Sequence, residues 1–152
     1  MDDIDRQIVQ LLQTDANRST REIAEQVGLT PTPCWRRIQN LEARGVLRGQ
    51  VALVDAASVG LPMVALVQIR TNDHSRRWLD QFVAGIEEHP EIVEAYRTSG
   101  EIDYVLKVVA PSIAAYDDFY KRLIRDVDLY DVRTVFVMEE IKHTTALPLD
   151  YA

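Results

Sequence analysis

Four arginines crowd a short stretch of this chain: Arg36, Arg37, Arg44 and Arg48, with Glu42 the one acid between residues 30 and 50. A guanidinium is a planar fork of donors. It can pair bidentately with the edge of guanine or with a phosphate, so a cluster of four points towards nucleic acid. Other chemistry is poorly supplied. His74, His89 and His143 are scattered, with no cysteine or acid cluster at metal-ligand spacing. There is no glycine-rich phosphate loop and no serine nucleophile elbow. The many acids fit a charged surface better than a catalytic pair, so neither an enzyme nor a bound metal or cofactor is expected.

The arginines stand out because the chain is acidic. Its 152 residues carry 17 Lys and Arg against 24 Asp and Glu, for a net charge of -7. Residues 1–50 hold seven of each sign, so the entire excess of acid lies beyond them. Such a chain does not coat nucleic acid non-specifically, yet a local basic patch can still dock on phosphate. Hydrophobic residues make up 47%, enough for one ordinary domain or two small ones. No apolar run approaches the ~18–20 residues of a membrane span. The acidic start Met1-Asp2-Asp3-Ile4-Asp5 does not resemble a secretory leader. A cytoplasmic protein without membrane contact is expected, and the single Cys34 leaves no internal disulfide framework.

The elements that must position the arginines follow from periodicity. Ile4, Ile8, Leu11 and Leu12 share one helical face behind an Asp cap. Ser19 with Glu22 has capping-box spacing and opens a second helix, with Ile23, Ala24 and Val27 buried and Gly28 as its stop. In the third helix Thr32 suits the cap and Pro33 the first helical position. Cys34, Ile38 and Leu41 face the core, and Gly45 ends it. Cys34 is therefore a small core residue rather than a redox sensor. Val46–Val54 reads as two short strands around Arg48-Gly49. Three helices and a hairpin make a winged helix-turn-helix, and its third helix presents Arg36 and Arg37. Thr30 and Thr32 at the helix start can cap, bind phosphate, or both. Trp35 either pads the edge of the core or lies against DNA. Arg48 at the wing tip either meets phosphate or is simply solvated.

Residues 55–62 form a small-residue connection between a DNA-binding domain, 1–54, and a second domain, 63–152. There the pattern becomes strand (Met63–Arg70), helix (Trp78 to Ile86), strand (Ile92–Thr98), strand (Tyr104–Ala110), helix (Tyr116 to Val127) and strand (Val132–Ile141). This is βαββαβ, a ferredoxin-like α+β arrangement. Two helices cover one face of such a sheet. Val64-Ala65-Leu66-Val67 and Val105-Leu106 are apolar at successive positions, so both faces call for burial. A second copy of the chain is expected on the uncovered face.

The motifs resemble a known family. Pro31-Thr32-Pro33-Cys34, Arg37-Ile38, Leu41-Glu42 and Gly45 look like the recognition-helix signature of the Lrp/AsnC (feast/famine) transcriptional regulators. Ser99-Gly100-Glu101-Ile102-Asp103-Tyr104 resembles their effector loop, and Arg133-Thr134 with Met138-Glu139-Glu140-Ile141-Lys142 resembles their last strand. Thr32-Pro33-Cys34-Trp35, Tyr116 to Leu123 and Lys142 to Pro148 are similar to the cysteine-responsive members that activate desulfidase genes.

The resemblance implies a regulator of amino-acid metabolism. It would bind double-stranded DNA through Thr30, Thr32, Pro33, Trp35, Arg36, Arg37 and Arg48. It would sense a small amino acid, cysteine among the candidates, and assemble as dimers and as octamers built from four dimers. Gly100, Glu101, Asp103, Tyr104, Ile113, Phe136 and Val137 would form the effector pocket. Taken alone, Gly100 and Asp103 also read as an ordinary turn between antiparallel strands. A DNA-binding protein that senses no ligand and a small ferredoxin-like enzyme are the competing readings.

Overall fold

The computed structural model describes Met1–Tyr151 and divides into two compact units: Met1–Ala52 together with Ile141–Ala152, and Leu53–Glu140.

The first unit contains α1 (Asp3–Thr14), α2 (Thr20–Gln26) and α3 (Pro31–Ala43). Asp2 caps α1, its carboxylate accepting from the Asp5 N–H at 2.8 Å. The capping box of α2 forms in full. The Glu22 N–H donates to the Ser19 hydroxyl, and the Glu22 carboxylate accepts from the Ser19 N–H. Gly28 and Gly45, with φ of 70° and 71°, follow α2 and α3 in the left-handed geometry that closes a helix. Ile8, Val9, Leu12, Ile23, Ala24, Val27, Cys34 and Leu41 form the core, with Ile4, Leu11 and Ile38 against it.

Two local expectations need correction. The third helix starts earlier than the Thr32 cap and Pro33 start imply: Thr30 is the cap residue, without a side-chain cap bond, and Pro31 occupies the first position. Pro33 still falls among the first N–H positions, which lack a helical acceptor, so a second proline is tolerated there. The Cys34 N–H makes a helical bond to the Thr30 carbonyl at 3.2 Å. The wing also lacks its strands, for no strand occurs between Val46 and Val54, and Val51, Leu53 and Val54 are exposed. A two-stranded hairpin has little stability without an apolar face to pack on.

Residues 141–151, which the domain boundaries above assign to the second domain, are grouped instead with the first unit. The Gln13 side-chain amide grips the Leu147 backbone at two points. It donates to the Leu147 carbonyl at 2.8 Å and accepts from the Leu147 N–H at 3.0 Å. Leu149 then packs against the three-helix core.

The second unit follows the expected βαββαβ order: β1 (Met63–Arg70), α4 (Arg76–Glu87), β2 (Ile92–Arg97), β3 (Tyr104–Ala110), α5 (Ile113–Asp126) and β4 (Asp131–Phe136). The sheet order is β2-β3-β1-β4, antiparallel throughout. β4 ends at Phe136, short of the expected Ile141, and β1, which starts at Met63, has no residue to set opposite 139–141. Phe136 pairs with Ala65, and Val137 makes one further bond to the Val64 carbonyl near the start of β1. The alternation rule then sorts the faces. Ala65, Val67, Ile69, Leu106 and Val108 are buried beneath α4 and α5 with Phe82, Phe119 and Leu123. Val64, Leu66, Val105 and Val135 lie on the other face, beside the Lys107–Glu94 ion pair at 3.2 Å. Gly85 lets α4 approach Val127, since a Cβ there would stand 2.3 Å from a Val127 methyl.

Candidate nucleic-acid interface and effector loop

Helical geometry separates the two neighbouring arginines of α3. At 100° per residue, Arg36 points to the side opposite Cys34 and Leu41, whereas Arg37 lies within about 60° of Cys34. Arg36 is exposed, and among the described residues no salt bridge engages it. Arg37 is partly buried. Its Nη1 donates to Asp2 Oδ2 and to Asp5 Oδ1, each at 2.7 Å. This pairing raises the Arg37 pKa further. The Asp2 carboxyl is held below its ordinary range, first by the Asp5 N–H and then by Arg37.

The exposed face of α3 is continuous, with Thr32, Trp35, Arg36 and Gln39 following one another at helical spacing, all exposed. Trp35, left open between core and surface, lies on the surface at 53% exposure. Thr20, Pro31, Thr32 and Trp35 line a shallow hollow at the start of α2 and α3. Thr30 and Pro33 are exposed in the first turn, and Arg48 is exposed in the irregular segment after α3. Gln39 was not singled out from sequence. The spacing that picks the buried Cys34, Ile38 and Leu41 also picks it, read from the opposite side. Its amide donates to Glu42 at 2.8 Å. Cys34 is fully buried, and burial pushes its thiol pKa up against the opposing pull of Arg37. A protonated thiol inside the core is a packing group.

The expected effector residues fall at two places. Gly100, Glu101, Asp103 and Tyr104 lie where β3 starts and β1 ends, near Ile69 and Thr71. The Asp103 carboxylate accepts from the buried Thr71 N–H at 2.9 Å, and its own N–H donates to the Ile69 carbonyl at 3.0 Å. Thr71, 32 residues upstream, is a partner that local sequence does not reveal. Gly100 has φ of 117°, which side-chain-bearing residues rarely adopt, while Glu101 is exposed. Tyr104 is 8% exposed and packs on Phe82 with ring centroids 4.5 Å apart, so its ring belongs to the core.

Ile113, Phe136 and Val137 lie at the opposite end of the sheet. Met63 pairs with Ala110 there, and Phe136 packs edge-on against Tyr116 at 5.2 Å. The seven-residue β3 separates the two ends, which at strand rise is about 20 Å. A single copy of the chain does not bring the two groups together. Among the described residues no cluster of three or more His, Cys, Asp or Glu could hold a metal, and no helix is long and apolar enough to cross a membrane.

The chain thus joins a helix-turn-helix, whose third helix exposes Thr32, Trp35, Arg36 and Gln39, to a βαββαβ unit. Residues 1–42 match the AsnC-type helix-turn-helix domain, and residues 64–147 match the Lrp/AsnC ligand binding domain. The chain is 47% identical to the glutamate uptake regulatory protein of Zymomonas mobilis, over 98% of this chain and 91% of that protein. It is 45% identical to the DNA-binding transcriptional activator DecR of Escherichia coli, over 99% of both. An AsnC family transcriptional regulator from Agrobacterium tumefaciens superposes with a TM-score of 0.95 at 51% identity over 99% of each chain. A transcriptional regulator from Neisseria meningitidis, solved with L-Met, gives 0.93 at 32% identity over 99% of this chain and 97% of that one. The chain belongs to the Lrp/AsnC family of transcriptional regulators. It is a DNA-binding regulator with an amino-acid-responsive domain, and not an enzyme.

Proposed function

We propose that this regulator reads double-stranded operator DNA with the exposed face of α3 and controls genes of amino-acid metabolism from the cytoplasm. The observation that carries the reading is the continuous row Thr32, Trp35, Arg36 and Gln39 on one side of a helix whose other side is core. Arg36 and Gln39 supply the guanidinium and amide that pair with guanine and adenine edges. Trp35 supplies an apolar contact. Thr30 and Arg48 flank the row and suit phosphate, while Pro33, which has no N–H, offers an apolar contact. Two copies related by two-fold symmetry would address half-sites about one helical turn, or a multiple of it, apart.

The uncovered sheet face, with Val64, Leu66, Val105 and Val135, supports dimer formation. Dimers would assemble further, as octamers of four dimers. The separation of the Gly100–Asp103 loop from Ile113, Phe136 and Val137 favours a pocket shared between subunits, each giving one of the two groups. The ligand is a small amino acid. Cysteine is the first candidate from the subgroup resemblance, and methionine follows from the Neisseria neighbour's bound ligand. A ligand acts here only through a difference in affinity between assembly states.

Isothermal titration of the assembled protein with cysteine, methionine, leucine, alanine, proline and glutamate, with and without a selected operator duplex, tests this. Saturable binding of one of them, with an affinity altered by DNA, is the expected result. Operator binding with no response to any of them would leave a DNA-binding protein without an amino-acid switch.

A further inference from the structure

We infer that Arg37 is a positioning residue, one that fixes the angle of α3 through Asp2 and Asp5 rather than meeting DNA itself. The inference rests on α3 being the helix that reads DNA. Both hydrogens of the Arg37 Nη1 are committed, one to Asp2 Oδ2 and one to Asp5 Oδ1, each at 2.7 Å. The acceptors lie on a different helix, 35 and 32 residues away in the chain. The Asp5 side chain is 13% exposed, so this part of the contact is shielded from water. Asp2 has a double task. Its Oδ1 caps α1 and its Oδ2 holds Arg37. One carboxylate therefore locks the start of α1 to the middle of α3.

The contact is suited to setting an orientation. Cys34, Ile38 and Leu41 already bury α3 against the core, but apolar packing resists rotation and sliding less specifically than a directional ion pair. Arg36 and Gln39 project from the opposite side, so a tilt of α3 displaces their tips more than its own axis. Base readout demands hydrogen-bond geometry, whereas phosphate attraction tolerates displacement. Loss of the clamp is therefore expected to weaken specific binding and spare non-specific binding.

The test uses the full chain and two duplexes, one selected from a random pool by the wild-type protein and a scrambled control. Asp2→Asn/Asp5→Asn removes both charges while leaving Arg37 in place, and asparagine still caps a helix. Arg37→Ala removes the guanidinium. Both variants are expected to bind the selected duplex about tenfold more weakly, a coupling of ordinary size for contacting residues. Both should bind the scrambled duplex as wild type does, with an unchanged salt slope. Arg37→Lys, which keeps the charge but not the fork, should recover part of the loss.

Several results would overturn the inference. One is a double-Asn variant that binds like wild type while Arg37→Ala is weak, because Arg37 would then contact DNA directly. Another is a salt slope reduced by about 0.9 in Arg37→Ala, which marks a lost phosphate contact. Wild-type affinity in both variants is a third. If Arg37→Ala fails to fold, the double-Asn variant and Arg37→Lys decide alone. Arg36→Ala serves as the control on α3 itself: undiminished binding there would sink the reading helix, and its separate outcome keeps the two ideas apart.

Discussion

The two candidate surfaces are built in different ways. The reading face belongs to one helix, α3, and its members Thr32, Trp35, Arg36 and Gln39 recur at helical spacing within eight residues. The candidate effector residues lie in and around a sheet and come from opposite ends of it, with Asp103 beside Thr71 at one end and Phe136 beside Tyr116, near the start of α5, at the other. A helix displays a site that is local in sequence. A sheet splits a local motif between faces, and gathers a site only through topology.

Four experiments would break or sharpen that contrast. The largest effect is expected from Leu41→Ala, which removes a fully buried side chain behind the reading face. It should cost about 2–5 kcal/mol and abolish operator binding. Hydrogen exchange should show the amides of α1–α3 losing protection while those of β1 and β3 keep theirs. Joint loss would mean that the two units do not fold separately.

Next comes Arg36→Ala. Losing one good base contact should cost about 1–3 kcal/mol of operator affinity with no change in melting temperature. A mobility-shift titration equal to wild type would remove Arg36 from the contact surface.

Asp103→Asn follows. It keeps an oxygen for the Thr71 N–H and removes the charge. Amino-acid-dependent change in DNA binding, typically about 1–3 kcal/mol of coupling, should vanish while ligand-free DNA binding stays. A surviving response would return Asp103 to the role of a turn residue.

The smallest effect concerns the α2 cap. Ser19→Ala should lower stability by about 1 kcal/mol. The Ser19 hydroxyl, and after it the Ser19 N–H, hold the folded Glu22 pKa below its ordinary value. The stabilisation is therefore complete above the ordinary glutamate range and is lost as pH falls through the folded value. Acid unfolding, followed by circular dichroism, should consequently start at a higher pH without Ser19. An unchanged midpoint would place acid sensitivity elsewhere.

The fold was legible wherever the signal was local. Ser19 with Glu22, Gly28 and Gly45 mark helix ends through their own chemistry, and short apolar runs located β1 and β3 to the residue. What failed depended on distant partners. β4 cannot reach Ile141 because β1 starts at Met63 and offers nothing opposite 139–141, and Val46–Val54 forms no hairpin although Leu47 packs on the helical core. The candidate site divides in the same way. Arg36 could be read from the helix alone. The engagement of Arg37 needed Asp2 and Asp5, and the hold on Asp103 needed Thr71, neither of which any local pattern announces.

The grip of Gln13 on Leu147 also sets a schedule. The two residues are 134 positions apart, and a ribosome adding about 5–20 residues per second needs roughly 7–27 s to make that stretch. Single helices form in microseconds. During every round of synthesis the three helices therefore wait for seconds with the surface that Leu149 will cover still open to water. They must hold their shape, or be sheltered, until residues 141–151 arrive.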